Sequence, residues 1–227
     1  MHILLAAATS LEIQPASDFL ETGGPHRVSS LITGVGSLPA GYSLMRQIDR
    51  DRPDLIIQAG IAGTFNRTPP GAVLAIRDET LADLGVWEER QFKSLFDLQL
   101  ADPDQPPFTA SRLVNPYRSL LTLTGLEQVS AITVNEISTD PNRIAWYRHN
   151  TPAVVESLEG GALHYTCLQE QIPFLQIRSV SNDIGIRDKS RWDIPLAIRQ
   201  LNDRLIALLQ QLDRLDNSIL YAINDVS

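Results

Sequence analysis

Short apolar runs alternate with helical patterns along most of this 227-residue chain, and this alternation constrains the fold more than any other feature. Several runs are apolar throughout, which is typical of strands that are covered on both faces. The runs that we interpret as strands are His2–Ala8, Val28–Thr33, Leu55–Ala59, Val73–Ile76, Val129–Thr133, Ala153–Val155 and Phe174–Val180.

Helical patterns fill most intervals between these strands. In the last of them the apolar residues recur at the spacing of one buried face, and Pro195 falls in the first turn, where its missing N–H costs nothing. The predicted helices are Leu38–Asp51, Asn115–Thr124, Asn142–His149, Gly161–Gln171 and Asp193–Leu212. This order predicts an α/β fold, a single-domain three-layer αβα arrangement with a central mixed, largely parallel sheet.

The length suits one domain that spans residues 1–227, with a core at about 1–212 and a polar tail at 213–227. The segment of about Thr80–Pro107 follows neither period, and such segments are usually binding loops. The start of the chain favours a first strand over a secretory signal, and no run approaches the ~20 apolar residues that span a bilayer. These features predict a cytoplasmic protein without a membrane segment.

Charge and cysteine content exclude several function classes. The net charge of −8 argues against nucleic acid as a partner, because phosphates need clustered Lys and Arg. Cys167 is the only cysteine, which excludes an internal disulfide and a cysteine-based zinc site. His164 lies three residues before it, and their apolar neighbours favour a packed helix over a metal site. We therefore expect neither a metal nor a cofactor.

An acidic residue, Glu12, follows the first predicted strand directly. Open α/β sheets bind their ligands at the carboxyl ends of the strands, so a carboxylate here would face a ligand. The alternative is a solvated charge at the start of a helix, beside the candidate N-caps Thr9 and Ser10.

Two glycine-rich segments, Gly34-Val35-Gly36 and Gly60-Ile61-Ala62-Gly63, are predicted to form turns at strand ends. Glycine lets a ligand approach the backbone, although ordinary tight turns use the same residues. The first segment has Pro39 in place of the third glycine of a dinucleotide fingerprint, and no acid ends the next strand at Ala59. It is therefore a weak indication of a nucleotide cofactor.

A second acid, Glu159, lies at a predicted strand-to-helix junction, followed by two glycines. A carboxylate in this place can accept hydrogen bonds from the two adjacent hydroxyls of a ribose. Charge compensation at the helix N-terminus is the alternative. The segment from Arg178 to Asp183 ends the last predicted strand and adds further polar groups at the same edge.

In this order, the segments resemble those of the nucleoside phosphorylase and nucleosidase superfamily, and the resemblance covers about residues 1–212. Within it the chain is most similar to the futalosine hydrolases. This similarity rests on the segments Ala82-Asp83-Leu84-Gly85, Thr133-Val134-Asn135, Glu156-Ser157-Leu158-Glu159-Gly160, and Ser181-Asn182 with the Gly185 and Arg187–Trp192 that follow.

The resemblance implies roles for individual residues. Glu12 would activate the attacking water, Glu159 would hold the ribose hydroxyls, and Arg178 would help to place the water and its base. Leu158 would pack on the sugar. The further expected substrate-binding residues are Val35, Ile61, Ala62, Gly63, Val134, Asn135 and Ser181.

The chain departs from the nucleosidases at Asn182, where those enzymes carry an aspartate that protonates the purine. An amide cannot supply a proton, although Asn182 could still donate a hydrogen bond to the edge of the purine. The adjacent Asp183 could protonate the base if the register slips by one residue. Asn182 and Asp183 therefore both remain candidates for assisting the leaving base.

The activity that the resemblance implies is hydrolysis of the N-glycosidic bond of a purine nucleoside, which converts futalosine to hypoxanthine and dehypoxanthinyl futalosine in menaquinone biosynthesis. The alternatives are a methylthioadenosine/adenosylhomocysteine nucleosidase, a purine nucleoside phosphorylase and a non-catalytic nucleoside-binding protein. An ionised Glu12 would repel phosphate, which favours hydrolysis over phosphorolysis.

The resemblance also implies a homo-oligomer, a dimer or larger. We expect its interface at about Thr80–Pro107, because exposed aromatic residues mark contact surfaces. A cluster of basic residues, Arg187, Lys189 and Arg191, could bind the carboxylate of futalosine, or could be a solvated charged loop.

Overall fold

Strand β1, His2–Ala7, is buried along its whole length in the computed structural model, which describes residues 1–20, 24–89 and 91–215. It pairs in parallel with β2 (Arg27–Ile32) on one side and with β3 (Leu55–Thr64) on the other. Burial on both faces accounts for its apolar sequence, as predicted.

The sheet closes on itself around β3. β3 pairs in parallel with β10 (Phe174–Asp183) and antiparallel with β9 (Ala153–Ser157). β10 pairs antiparallel with β4 (Val73–Leu81), β4 pairs in parallel with β8 (Glu127–Thr133), and β8 pairs in parallel with β9. The five strands β3, β10, β4, β8 and β9 therefore form a closed ring, from which β1 and β2 extend.

Helices pack on both sides of this sheet, which confirms the predicted α/β class with a central mixed sheet. α1 lies against α6, and α2 lies against α5. Five of the eight strand pairings that the described residues make in this sheet are parallel, and one of the three antiparallel pairings joins the short β7 to β4. The helices and β7 are α1 (Ser10–Leu20), α2 (Ser37–Arg50), α3 (Arg118–Leu123), α4 (Pro141–Asn150), α5 (Gly160–Glu170), α6 (Ile194–Asp213) and β7 (Leu113–Val114).

The structure corrects two predictions in the first third of the chain. Residues 60–63 form no turn, because β3 continues through them to Thr64. The interval between β1 and β2 contains a helix, α1, that was not predicted. Pro15 lies inside α1, and a proline is expected to break a helix rather than to occupy it.

The segment Thr80–Pro107 has more regular structure than the sequence predicts. It contains the end of β4 and a hairpin of β5 (Gly85–Glu88) and β6 (Gln91–Ser94). Trp87 packs against Phe92 of the same hairpin and against Trp146 of α4. These aromatic rings contact one another, so they do not form the exposed surface from which we expected an interface.

The helix predicted to end at Leu212 is α6, which ends at Asp213. Most of the predicted tail, residues 216–227, lies outside the described residues. No helix in the described part of the chain is both long and apolar enough to cross a membrane.

Candidate active site

A cavity of about 310 Å³ lies at the carboxyl ends of β1, β3 and β10. These strands run parallel to one another, so their carboxyl ends share one edge of the sheet, as expected for an α/β fold. The cavity brings together nine of the predicted site residues, namely Glu12, Val35, Ile61, Ala62, Gly63, Leu158, Glu159, Ser181 and Asn182.

Glu12 is buried at the start of α1 and is not a solvated surface charge. Its Oε2 accepts hydrogen bonds from the backbone N–H and the hydroxyl of Thr9, each at 3.0 Å. This is one half of a capping box, in which a residue of the first turn reaches back to the N-cap. Its Oε1 accepts from the backbone N–H of Ile61 at 3.1 Å, which ties α1 to the end of β3.

The helical turn that carries Glu12 is held by a side chain from the other end of the sequence. Asn202 of α6 is buried, donates to the carbonyl oxygen of Glu12 at 2.9 Å and accepts from the N–H of Ala16 at 3.0 Å. It thus bridges a carbonyl and an amide four residues apart in the turn that contains Pro15. These two bonds tie the turn that carries Glu12 to α6, and no local sequence pattern predicts them.

Arg178 is fully buried beneath the cavity and does not line it. Its Nη2 donates to Gln58 Oε1 at 2.9 Å and lies 3.6 Å from Glu159 Oε2. A Cβ atom at Gly60 would lie 2.2 Å from Arg178 Nη1 and 2.9 Å from Glu12 Oε1. Gly60 is therefore required for its lack of a side chain, because Arg178 and Glu12 occupy that space.

Glu159 is buried at the N-terminus of α5, but its side chain does not cap the helix. Its Oε1 accepts from the backbone N–H of Gly36 at 2.9 Å, while Oε2 faces Arg178. The nearby Ser37 hydroxyl donates to the carbonyl oxygen of Leu158 at 2.9 Å. The loop before α2 thus orients the carboxylate toward the cavity.

A β-bulge near the end of β10 determines which polar groups reach the cavity. Val180 pairs with Ala62 and Asn182 pairs with Gly63, so Ser181 is the extra residue. A bulge redirects side chains, and here both Ser181 and Asn182 line the cavity. Asp183 does not line it.

Besides Asp183, three of the predicted site residues do not line the cavity. Arg178 is beneath it, Val134 is buried in the core between the sheet and α4, and Asn135 is exposed. The backbone N–H and side-chain amide of Asn135 bind the carboxylate of Asp83, at 2.5 and 3.2 Å. The roles expected for these residues stay predictions.

A buried carboxyl group behind the site was missed by the sequence analysis. Glu79 of β4 accepts hydrogen bonds from Gln176 Nε2 at 2.8 Å and from the hydroxyl of Thr133 at 3.0 Å. Burial raises the pKa of Glu79 to about 7. The Thr133 hydroxyl also accepts from the N–H of Gly161 at 2.7 Å, so this network anchors the first turn of α5, next to Glu159.

A second acid, Glu156, lines the cavity, although the sequence analysis quoted it within a motif and gave it no role in the site. It is 7% exposed, and its carboxylate accepts hydrogen bonds from the backbone N–H and the hydroxyl of Ser138. Burial raises the pKa of Glu156 above that of a free carboxyl group. Its position inside an apolar strand gave no indication of a site.

The cavity is strongly asymmetric in charge. Three carboxyl groups border it, those of Glu12, Glu156 and Glu159. Arg187 is the single basic residue in the lining described by the structure. This arrangement suits a substrate on which positive charge develops.

The chain matches a known protein family. A family model described as the phosphorylase superfamily matches residues 5–212. The chain belongs to the phosphorylase superfamily. This assignment confirms the resemblance from which the site was predicted.

Relatives in this superfamily carry two kinds of name. The futalosine hydrolase of Streptomyces coelicolor is 29% identical over 223 residues, which cover 89% of this chain and 93% of that protein. The 5′-methylthioadenosine/S-adenosylhomocysteine nucleosidase of Tolumonas auensis is 25% identical and covers 82% of this chain and 83% of its own length.

Solved structures of the superfamily share the fold. The nucleosidase of the same type from Campylobacter jejuni has a TM-score of 0.77, with 17% identity, and the match covers 95% of this chain and all of that chain. Its crystal structure supports the observed sheet and helix arrangement at this level of similarity.

Proposed function

We propose that this member of the phosphorylase superfamily hydrolyses the N-glycosidic bond of futalosine, with hypoxanthine and dehypoxanthinyl futalosine as products. The observation that carries this proposal is the pair of buried carboxylates, Glu12 and Glu159, at one cavity. Backbone N–H groups hold each of them on one side.

In this proposal Glu12 is the general base. A water molecule in the cavity gives a proton to Glu12 as its oxygen bonds to the anomeric carbon of the ribose. The bond from that carbon to the purine nitrogen breaks, and its electron pair leaves with the base, which takes up a proton from solvent. Glu12 then returns its proton to solvent. General-base assistance of this kind contributes ~10²–10⁴-fold to the rate.

Glu159 stabilises the sugar in this scheme. Breaking the bond builds positive charge on the ribose, in an oxocarbenium-like transition state. A carboxylate that accepts hydrogen bonds from the two ribose hydroxyls also balances this charge. Arg178 lies beneath both carboxylates and positions them without contacting the substrate. Leu158 lines the cavity beside Glu159 and would pack on the sugar.

The departing base is assisted by an amide in this proposal. Asn182 lines the cavity and would donate a hydrogen bond to the purine. Asp183, the alternative acid, would need a change in the backbone at the end of β10 to reach the base.

The charge of the cavity favours water over phosphate as the nucleophile. Phosphorolysis requires cations that surround a phosphate dianion next to the sugar. Arg178 is buried and faces Glu159, and three carboxylates border the described lining. A phosphate dianion would be repelled by them.

In this proposal the basic residue Arg187 binds the carboxylate of the substrate. Arg187 lines the cavity and stacks over the ring of Trp192, with 5.3 Å between the guanidinium carbon and the ring centroid. Ile184 and Ile186 line the same wall. An apolar wall with one arginine fits an aromatic carboxylate, which futalosine carries and methylthioadenosine lacks.

We expect Arg187→Gln to raise the Michaelis constant for futalosine by about tenfold or more, because a hydrogen bond to a charged group contributes ~1.5–3 kcal/mol. The matched control is Arg191→Gln, a basic residue on the neighbouring turn that is exposed and does not line the cavity. Steady-state kinetics with futalosine measure both. Equal Michaelis constants in the two variants would place the carboxylate elsewhere.

The decisive experiment is chromatographic detection of free base with and without phosphate. The substrates are futalosine, its 6-amino-6-deoxy counterpart, methylthioadenosine, adenosylhomocysteine and inosine. Phosphate-independent release of hypoxanthine from futalosine, faster than release of adenine from methylthioadenosine, supports the proposal. The relatives named as methylthioadenosine/adenosylhomocysteine nucleosidases make the reverse preference the second candidate. A binding protein would release no base.

The proposal carries three further statements. Futalosine hydrolysis would place the chain in menaquinone biosynthesis, and this metabolite would be met in the cytoplasm. The chain would also act as a homo-oligomer. Support for the last comes from apolar side chains exposed on the outer face of α2 and at the cavity rim, among them Leu38 at 84% and Tyr42 at 63%.

A further inference from the structure

The Glu156–Ser138 pair has no part in the scheme above, although both residues line the cavity. Glu156 Oε1 accepts from the backbone N–H of Ser138 at 3.1 Å, and Oε2 accepts from the Ser138 hydroxyl. The single hydroxyl proton of Ser138 is thus directed to the carboxylate. The lone pairs of its oxygen remain available to a ligand, so Ser138 can act only as an acceptor toward the cavity.

Gly63 of β3 lies between Glu156 and Asn182 in the sheet. Gly63 pairs with Glu156 on β9 and with Asn182 on β10, and directly paired residues project to the same face of a sheet. A Cβ atom at Gly63 would lie 2.8 Å from the Ile184 side chain and 3.5 Å from Asn182 Nδ2. The Ile184 side chain therefore packs over Gly63, and both residues line the cavity between the two polar groups, in a space that we call the slot.

The width of this slot fits a flat bicyclic base. Neighbouring strands lie about 4.8 Å apart, so Glu156 and Asn182, which are two strands apart, are separated by about 10 Å at the backbone. Side chains that project from these two strands therefore leave room between them for a planar base that makes a hydrogen bond on each side. One edge would meet Ser138 and the other would meet Asn182.

The orientation of the Asn182 amide is also fixed. Asn182 Oδ1 accepts from the Ser181 hydroxyl at 2.8 Å, and Nδ2 donates to the carbonyl oxygen of Asp183 at 3.0 Å. The reversed amide would place its oxygen against that carbonyl, which can only accept. The second N–H of Nδ2 is therefore the group that Asn182 offers at the slot.

We propose that Ser138, oriented by Glu156, and Asn182 together select a nucleoside whose base is a 6-oxopurine over one whose base is a 6-aminopurine. This inference rests on the proposed function, because it places the purine in the same cavity. It assigns Ser138 as a specificity-determining residue and Glu156 as the residue that positions its hydroxyl.

The selection follows from donor and acceptor chemistry. A 6-oxopurine presents acceptors at O6 and N7, which match the N–H of Asn182, and a donor at N1–H, which matches the Ser138 oxygen. A 6-aminopurine has an unprotonated N1, so an acceptor would face the Ser138 oxygen. A site built to bind one polar pattern rejects the other because buried groups are left unpaired.

The test compares futalosine with its 6-amino-6-deoxy counterpart, which differ only at C6 of the base. In Glu156→Gln the amide oxygen must stay on the Ser138 N–H, so the amide nitrogen donates to the Ser138 oxygen and frees the hydroxyl proton to point at the ligand. We expect the ratio of kcat/KM for the 6-oxo over the 6-amino substrate to fall by about tenfold or more.

Two further variants complete the design. Ser138→Ala removes the acceptor. We expect it to lower the same ratio by decreasing kcat/KM for the 6-oxo substrate while leaving kcat/KM for the 6-amino substrate unchanged. Glu136→Gln is the control, since it makes the same chemical change on the same loop at an exposed residue that does not line the cavity. It should leave the ratio unchanged.

Binding of free hypoxanthine and free adenine, measured by calorimetry on the wild type and all three variants, gives a readout that does not need catalysis. Tighter binding of hypoxanthine, lost in Glu156→Gln and Ser138→Ala, supports the inference. Unchanged base preference in both of these folded variants would overturn it while leaving hydrolysis intact. Failure of the wild type to release base from any nucleoside would instead overturn the proposed function.

Discussion

The single carboxylate of Glu12 binds the N-cap of α1 and also lies at the cavity. The carboxylate lies at the start of a helix, as one interpretation of the sequence predicted, but it is buried and not solvated. Its Oε2 bonds to Thr9 while Oε1 bonds to Ile61 N–H at the cavity, and its role as a general base stays a prediction. Capping therefore holds the carboxylate in place for the proposed chemistry.

We expect Glu12→Gln to lower kcat by ~10²–10⁴-fold, because an amide cannot take a proton from water. Affinity for a nucleoside should change little, which calorimetry measures directly. The control Asp18→Asn makes a comparable change on the exposed side of α1, where Asp18 accepts from Gln14. If Glu12→Gln kept more than about a tenth of the wild-type kcat, the general-base role would be wrong.

The two carboxylates that could be identified from the residues alone lie shortly after a strand, while the cavity residues within β3 and β10 were expected only from the family resemblance. Glu12 and Glu159 were identified because a carboxylate after a strand end is conspicuous without knowledge of the partners. Glu79 and Glu156 were assigned no role in the site because each lies inside a strand, and only the pairing of β4, β8, β9 and β3 shows what surrounds it.

At the scale of the elements, β3 and β10 pack tightly at the site, where Gly60 of β3 faces Arg178 of β10. Gly60→Ala would place a methyl group in the space of Arg178 Nη1, 2.2 Å away. We expect kcat/KM to fall by about 100-fold, since displacing Arg178 disturbs Glu159, and the methyl group would itself lie 2.9 Å from Glu12 Oε1. The control Gly41→Ala adds a methyl group in α2 at 3.9 Å from its nearest neighbour and should raise stability slightly. Equal activity of the two variants would contradict this account.

The network below α5 predicts a dependence of stability on pH. The pKa of Glu79 is about 7 in the folded chain against 4.5 for a free carboxyl group. The unfolded chain therefore releases this proton first as pH rises, so Glu79 lowers the free energy of unfolding progressively between these two values. Below the lower value the effect is absent.

Glu79→Gln should remove this component. Urea unfolding of the wild type and the variant, measured from pH 4 to 8, gives the comparison. We expect the stability of the variant relative to the wild type to rise between about pH 4.5 and 7 and to stay constant outside that interval. A constant difference across the whole range would show that Glu79 titrates normally.

Helices and strands could be predicted where a single local sequence pattern is sufficient to identify them. The apolar strands and the long amphipathic α6 agree with the sequence, while β3 runs on through glycines that suggested a turn. α1 was missed because Pro15 argues against a helix, and the side chain of Asn202 that bridges its backbone comes from 190 residues beyond Glu12. Such compensation cannot be seen in a local window.

For the whole molecule, the proposed oligomer gives a prediction about surface. Light scattering should give at least twice the 25.1 kDa of one chain. Leu38→Glu should shift the mass toward the monomer, because Leu38 is exposed on the face of α2 that also carries Tyr42. Leu100→Glu is the matched control in the segment Thr80–Pro107, where Leu100 is 72% exposed. A monomer mass for the wild type, or dissociation by Leu100→Glu alone, would contradict this placement.

The closed ring of strands has a consequence for synthesis of the protein on the ribosome. β10 fills the gap between β3 and β4, so both keep an unpaired edge until residues 174–183 have emerged. Nearly four-fifths of the residues must therefore be synthesised before the sheet can close. Until then the open edges of β3 and β4 can pair with other nascent chains. The same strand carries Arg178 and Asn182, so the cavity is completed only after β10 has been synthesised.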